Sequence, residues 1–174
     1  MEAEILERPP QSGDYEEHIF SKSGNTLWVK FYDDDYIEWA GVFSKSEWSS
    51  FNTVLSIPNE KLVLVVAGGQ GYFVDPNKRE IVSTTDWDSI NNITFNEATG
   101  FLVATDGLRL ALFKGPQLQW SGERISADGI SFTKQTGPVI SGVLNDLSPE
   151  GCKFTFNANT LEFNTSWVLA ENWG

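Results

Sequence analysis

Short apolar runs, each bounded by Gly, Pro, Asn or Asp, follow one another from His18 almost to the end of the chain. Short runs alternating with turn residues are the signature of β-strands. No stretch sustains apolar residues at i, i+3, i+4 and i+7 across three turns, so no long helix is expected. Ser44–Phe51 is expected to form one short turn, with Ser46 as its cap. Four segments read alike: His18–Val29, Thr53–Leu64, Asn92–Val103 and Gly129–Ile140. Each is an apolar strand, a polar turn and a second apolar strand. Their starts lie roughly 35 to 39 residues apart, close to the period of a four-stranded propeller blade.

The third unit is the most explicit. Phe101–Thr105 and Leu108–Phe113 flank Asp106-Gly107, a dipeptide suited to a two-residue type I′ turn because both central positions there need positive φ. Gln117–Trp120 supplies an outer strand. In the second unit Leu62–Ala67 and Gly71–Val74 flank Gly68-Gly69-Gln70, and Asp75-Pro76-Asn77-Lys78 turns the chain into Glu80–Thr84. In the fourth, Val139–Leu144 and Cys152–Asn157 flank Pro149-Glu150-Gly151, with Leu161–Asn164 or Trp167–Leu169 to follow. One such sheet cannot bury both faces alone, so the units must stack. The expectation is an all-β domain over residues 14–174, with about four hairpin-containing repeats arranged as a small β-propeller-like closure or a curled β-sandwich. Residues 1–13, with Pro9-Pro10, read as a flexible or edge leader.

From Trp120 onward, Ile125-Ser126, Asp128-Gly129-Ile130, Gly142, Asp146, Phe154, Phe156-Asn157 and Thr160-Leu161-Glu162 form a spaced pattern. This pattern resembles the C-terminal repeats of small bacterial proteins with propeller-like β repeats, some of which lie beside toxin genes. The resemblance implies the repeat fold and, for those relatives, an immunity role. Its motifs are structural turns, so it assigns no catalytic residue.

The 174 residues carry a formal net charge of −12 with only 12 Lys and Arg. Such a field repels phosphates and anionic membranes and attracts a basic protein or a cation, so nucleic acid and membrane are not expected partners. Aromatics are abundant, with 7 Trp, 12 Phe and 4 Tyr. Large flat side chains fill the space between sheets, and a few remain for exposed platforms. No apolar run approaches the roughly 20 residues that cross a bilayer; Leu62–Ala67 is strand-sized. Met1-Glu2-Ala3-Glu4 lacks a basic-then-apolar signal pattern, so a reducing cytoplasm is the expected compartment. Cys152, the single cysteine, permits no intramolecular disulfide.

Chemistry is correspondingly limited. With His18 the single histidine, no Cys₄, Cys₂His₂ or three-His zinc site can be built. A Ser-His-Asp triad would have to use His18 from within a strand, and no Gly-x-Ser-x-Gly elbow occurs. Cys152 reads as a buried, inert thiol. Gly68-Gly69-Gln70-Gly71 is followed by strand-like Tyr72-Phe73-Val74, not by the helix and Lys-Ser/Thr of a phosphate loop, so it is a turn. Paired carboxylates for glycoside hydrolysis could come from Asp33, Asp35, Glu38, Asp86, Asp88, Asp128 or Asp146, yet 24 acidic residues put some pair at nearly any separation. No catalytic residue, cofactor or metal is expected.

Asp33-Asp34-Asp35, between Trp28–Tyr32 and Tyr36–Trp39, reads as a hairpin loop. It suits a solvated turn, a partner-facing hot spot or a Ca²⁺ ligand set, although it lacks the Gly and distal Glu of an EF-hand. Asp86-Trp87-Asp88 suits a packed connector or an interface anchor. The expected function is a non-enzymatic, cytoplasmic protein-binding domain that docks a basic partner, such as a toxin domain, through Asp33, Asp34, Asp35, Glu38, Asp86, Trp87 and Asp88. Two other functions fit the residues: a carbohydrate-binding or glycan-processing domain using exposed Trp, and a structural subunit of a larger assembly.

Overall fold

The apolar runs pair as strands, and the strands form four separate four-stranded sheets. The computed structural model describes residues 2–11, 13–21, 24–145 and 151–166. The first sheet holds β1 (Ala3–Leu6), β2 (Glu16–Ile19), β3 (Thr26–Tyr32) and β4 (Glu38–Ser44) in the order β1-β3-β4-β2. The second is a meander of β5 (Thr53–Ile57), β6 (Leu62–Ala67), β7 (Gln70–Asp75) and β8 (Glu80–Thr84). The third repeats it with β9 (Asn92–Asn96), β10 (Phe101–Thr105), β11 (Leu110–Lys114) and β12 (Gln117–Ser121). The fourth does so with β13 (Ile130–Thr136), β14 (Val139–Leu144), β15 (Cys152–Asn157) and β16 (Phe163–Thr165). The protein is therefore all-β, and none of the sheets closes on itself. Among the described residues the one helical turn is a 3₁₀ turn at Pro58–Glu60, and no helix is long and apolar enough to cross a membrane.

Three of the four similar segments are hairpins with the expected strands: β5–β6, β9–β10 and β13–β14. The first departs from the pattern. β2 runs parallel to β4, with Glu16 opposite Trp39 and Ile19 opposite Val42. The second neighbour of β3 is instead β1, antiparallel, with Ala3 opposite Phe31 and Leu6 opposite Trp28. Residues 3–6 of the expected leader are thus an edge strand. Lys30 helps fix this edge, its Nζ lying 2.5 Å from Glu4 Oε1 on β1 and 3.5 Å from Glu38 Oε1 on β4.

Two turns differ from expectation for local reasons. Thr105 pairs with Leu110, which leaves four residues rather than two between β10 and β11. Asp106 makes the wider loop stable: its Oδ1 accepts the backbone N–H groups of Leu108 (2.9 Å) and Arg109 (3.0 Å), and its Oδ2 accepts Arg109 Nε–H at 2.9 Å. No helical turn forms over Ser44–Phe51; Ser46 Oγ accepts the N–H of Trp48 at 3.3 Å across a bend in an irregular segment. Pro149-Glu150 and Trp167–Leu169 lie outside the described residues.

The chain divides into two compact units. One comprises residues 2–91 with 114–118, the other 92–113 with 119–166. In the first unit, Leu27, Val29, Phe31, Trp39 and Phe43 pack against Val63, Val65, Ala67 and Val74. Alternation along β3 sends Leu27, Val29 and Phe31 inward, and Phe31 stacks on Trp39 at 4.3 Å between ring centroids. In the second unit, Val103, Leu110 and Leu112 meet Ile130, Ile140, Leu144, Cys152, Phe154 and Phe156. Cys152 is buried as a free thiol.

Candidate functional site

The loop from Asp33 to Ile37 joins β3 to β4 and is built around the first of its three aspartates. Asp33 Oδ1 accepts the N–H groups of Asp35 (3.0 Å) and Ile37 (2.8 Å), and the Asp33 carbonyl accepts the N–H of Tyr36 at 3.0 Å. A short acidic side chain that bonds its own downstream backbone is what makes aspartate a turn former. Asp33 Oδ2 lies 3.4 Å from Arg79 Nη2, and the Asp33 side chain is only 11 % exposed. Tyr36 is held at φ 60° and is 85 % exposed.

Two further turns meet this loop. Asp34 and Asn77 bond reciprocally: the Asp34 N–H donates to Asn77 Oδ1 at 2.8 Å, and Asn77 Nδ2–H donates to Asp34 Oδ2 at 3.0 Å. Lys61, from the 3₁₀ turn, lies 3.8 Å from the same Asp34 oxygen. Asp75 holds the β7–β8 turn, its Oδ1 accepting the N–H groups of Asn77 and Lys78. Burial pushes the Asp75 carboxyl up, but the backbone N–H and ammonium of Lys78 and the N–H of Asn77 outweigh it, and its pKa lies below the ordinary value. Trp39 Nε1–H donates to the Pro76 carbonyl at 3.0 Å and anchors that turn to the core. Arg79 reaches both Asp33 and Glu16. Hydrogen bonds from His18 and then Arg79 hold the Glu16 carboxyl below its usual range.

Beside the loop lies a cavity of about 320 Å³ lined by Glu2, Tyr32, Asp33, Asp34 and Tyr36. The Glu2 carbonyl accepts the N–H of Tyr32 at 3.1 Å, so the start of β1 forms one wall. Lys30 sits over the Tyr32 ring, 4.8 Å from its centroid. Hydrogen bonds with Glu4 first and Tyr32 second hold the Lys30 ammonium above the usual lysine range. Glu38, 3.5 Å from Lys30, is paired with that cation and does not line the cavity.

Asp86, Trp87 and Asp88 lie elsewhere. They follow β8, whereas Asp33–Asp35 meet the turn that precedes it, so the five residues of β8 separate the two groups by roughly 16 Å at about 3.3 Å per residue. The segment is a connector latched to the β6–β7 turn. Thr85 Oγ1 donates to the Trp87 carbonyl at 2.6 Å and accepts the Gly71 N–H, and the Ile90 N–H donates to the Gly69 carbonyl. Asp86 and Asp88 are exposed and Trp87 is half-buried. The seven residues expected to form one acidic face therefore fall at two ends of the second sheet, and the structure brings Asp33, Asp34 and Asp35 together without the other acidic run.

Three exposed side chains escaped the sequence reading. Tyr36 lines the cavity and Ile37 beside it is also exposed, and Trp48, 76 % exposed, is the one exposed tryptophan among the described residues. A tyrosine placed two residues after a turn-forming Asp-Asp was the available signal for the first; nothing in the sequence distinguishes Trp48 from the buried Trp39. Among the described residues no group of three or more His, Cys, Asp or Glu side chains is placed to hold a metal ion. No family model, curated protein or solved structure matches the chain.

Proposed function

We propose that the protein is a non-enzymatic, cytoplasmic binding domain that takes a basic side chain of a protein partner into the tyrosine–carboxylate cavity beside the β3–β4 loop. The observation that carries this reading is the cavity's lining of two phenol rings and three acidic side chains, of which Asp33 and Asp34 each already meet one cation, Arg79 and Lys61, in a chain of net charge −12. An ammonium or guanidinium group over an aromatic face gains about 0.5–2 kcal/mol, and nearby carboxylates steer it there. The contact of Lys30 with Tyr32 is an intramolecular instance of that pairing. Exposed Tyr36 supplies the aromatic area that a partner would desolvate, the usual anchor of a binding hot spot. Neutralisation of a basic toxin domain is the specific form of this function that the resemblance over residues 120–164 favours. The meander order shared by the second, third and fourth sheets suits both expected arrangements of the repeats, a propeller-like closure or a curled β-sandwich.

The reading is tested by titrating ¹⁵N-labelled protein with a Lys/Arg-rich peptide. Amide shifts are expected over residues 32–37, weakening as salt rises. Tyr36→Ala should weaken binding roughly tenfold, while Trp48→Ala leaves it unchanged. Shifts spread evenly over the acidic surface and indifferent to Tyr36→Ala would remove the cavity as the site.

A further inference from the structure

The second compact unit carries a groove of the opposite chemical character. A cavity of about 300 Å³ lies between β9 and β13, lined by Asn92, Ile93 and Thr94 on one side and by Phe132, Thr133, Lys134 and Gln135 on the other, with Ile140 between. Successive strand residues point to opposite faces. A cavity touched by three consecutive residues of β9 and four of β13 therefore runs along strand edges, and it reaches in from the β13 edge as far as Ile140 on β14. Both strands are edges of their sheets. The register of β13 shifts between Phe132 and Lys134, and such a bulge re-aims the side chains beside it.

The groove thus combines backbone N–H and C=O groups of two strand edges with two amides, two hydroxyls, one aromatic ring and one ammonium; the Thr133 hydroxyl donates to the Ser141 carbonyl at 3.3 Å and is left as an acceptor. None of its lining residues is acidic, whereas four other cavities each have at least one acidic residue in the wall. Lys134 is exposed and has no ion-pair partner among the described residues, in a chain where Asp and Glu outnumber Lys and Arg by 24 to 12. One end of the groove is tied shut. Asn96, fully buried, donates Nδ2–H to the Gly137 carbonyl at 3.0 Å and so joins the end of β9 to the β13–β14 turn. An extended peptide laid along either edge would run into that tie, while a compact ligand would not. The volume lies at the lower end of the range for small-molecule sites, about 300–1,000 Å³.

We propose that this groove binds a saccharide unit bearing a carboxylate. The amides of Asn92 and Gln135, the hydroxyls of Thr94 and Thr133 and the strand edges take the sugar hydroxyls; the Phe132 ring takes an apolar sugar face; Lys134 takes the carboxylate. The site is independent of the basic-partner cavity: it lies in the other compact unit and selects the opposite charge.

The test titrates the full ¹⁵N-labelled chain with glucuronate, glucose and acetate. Glucuronate should shift the amides of residues 92–94 and 132–135 saturably, and glucose should bind roughly tenfold more weakly, lacking the charge-assisted hydrogen bond. Acetate should not saturate. Lys134→Gln should lower glucuronate affinity to that of glucose while leaving the thermal midpoint unchanged. The proposal is overturned if glucuronate leaves those amides unmoved, if glucose or acetate matches it, or if Lys134→Gln binds it as tightly as the unaltered protein.

Discussion

The two ends of the first compact unit solve the same problem, holding several turns together, with different atoms. At the end that precedes β8, carboxylates do the holding: Asp33 closes its own loop, Asp34 clasps Asn77, and Asp75 organises the β7–β8 turn. At the end that follows β8, neutral groups do it. Gly68 and Gly69 take left-handed backbone, Gln70 Nε2–H donates to the Thr85 carbonyl, and Thr85 bridges to Trp87, while Asp86 and Asp88 stay at the surface. Acidic runs that look alike in sequence are therefore unlike in duty. In one, the first two aspartates tie turns together and the third lies at the surface; in the other, the acids flank a latch they do not make.

The largest test of this contrast removes the anchor of the carboxylate-built end. Trp39→Ala deletes a fully buried ring and the bond to Pro76, and should lower stability by about 3–5 kcal/mol in denaturant unfolding. The neutral end is broken by Gly68→Ala. There a Cβ would lie 2.4 Å from the Ser46 carbonyl oxygen at φ +58°, and a loss of about 2–3 kcal/mol is expected, whereas Tyr36→Gly, also at positive φ, should change stability by less than about 1 kcal/mol. Next in size, Asp33→Ala should cost about 1–3 kcal/mol, since it orphans two loop N–H groups and removes one of the two carboxylates that Arg79 meets. Asp35→Asn should stay within about 0.5 kcal/mol; equal losses for the two would erase the distinction between scaffold and surface acid. The smallest effect is in pH. Because the folded Asp75 carboxyl lies below its ordinary value, its contribution is present above the unfolded pKa of about 3.9 and is lost as pH falls through the folded value. Asp75→Asn should flatten that acid limb of the stability profile, read as unfolding midpoints between neutral pH and pH 2.

The strands were legible wherever pairing is local. Leu62–Ala67, Glu80–Thr84, Val139–Leu144 and Cys152–Asn157 follow from apolar runs between turn residues, and the structure places strands on those same residues. β1 was not legible, because Ala3-Glu4-Ile5-Leu6 is short and mixed and its partner lies more than twenty residues away. The parallel pairing of β2 with β4 was hidden for the same reason: no local pattern records which distant strand a segment joins. At the site, the loop's position could be read, but not which aspartate closes it; that depended on Ile37 and Arg79 arriving at its two oxygens. Exposure of Tyr36 and Trp48 depends on packing across sheets, to which composition is blind.

The first sheet also differs from the other three in how it must assemble. Each meander can zip from one strand to the next in chain order, but the β3–β4 hairpin is flanked on both sides by strands drawn from the segment before it. Closing those longer loops carries an entropic delay that a simple hairpin avoids, so this sheet should be the last of the four to gain protection in pulse-labelled refolding. Deleting the leading twenty residues would strip both flanks of the hairpin at once, leaving two bare edges where a sheet of the meander type, trimmed from one end, exposes a single new one.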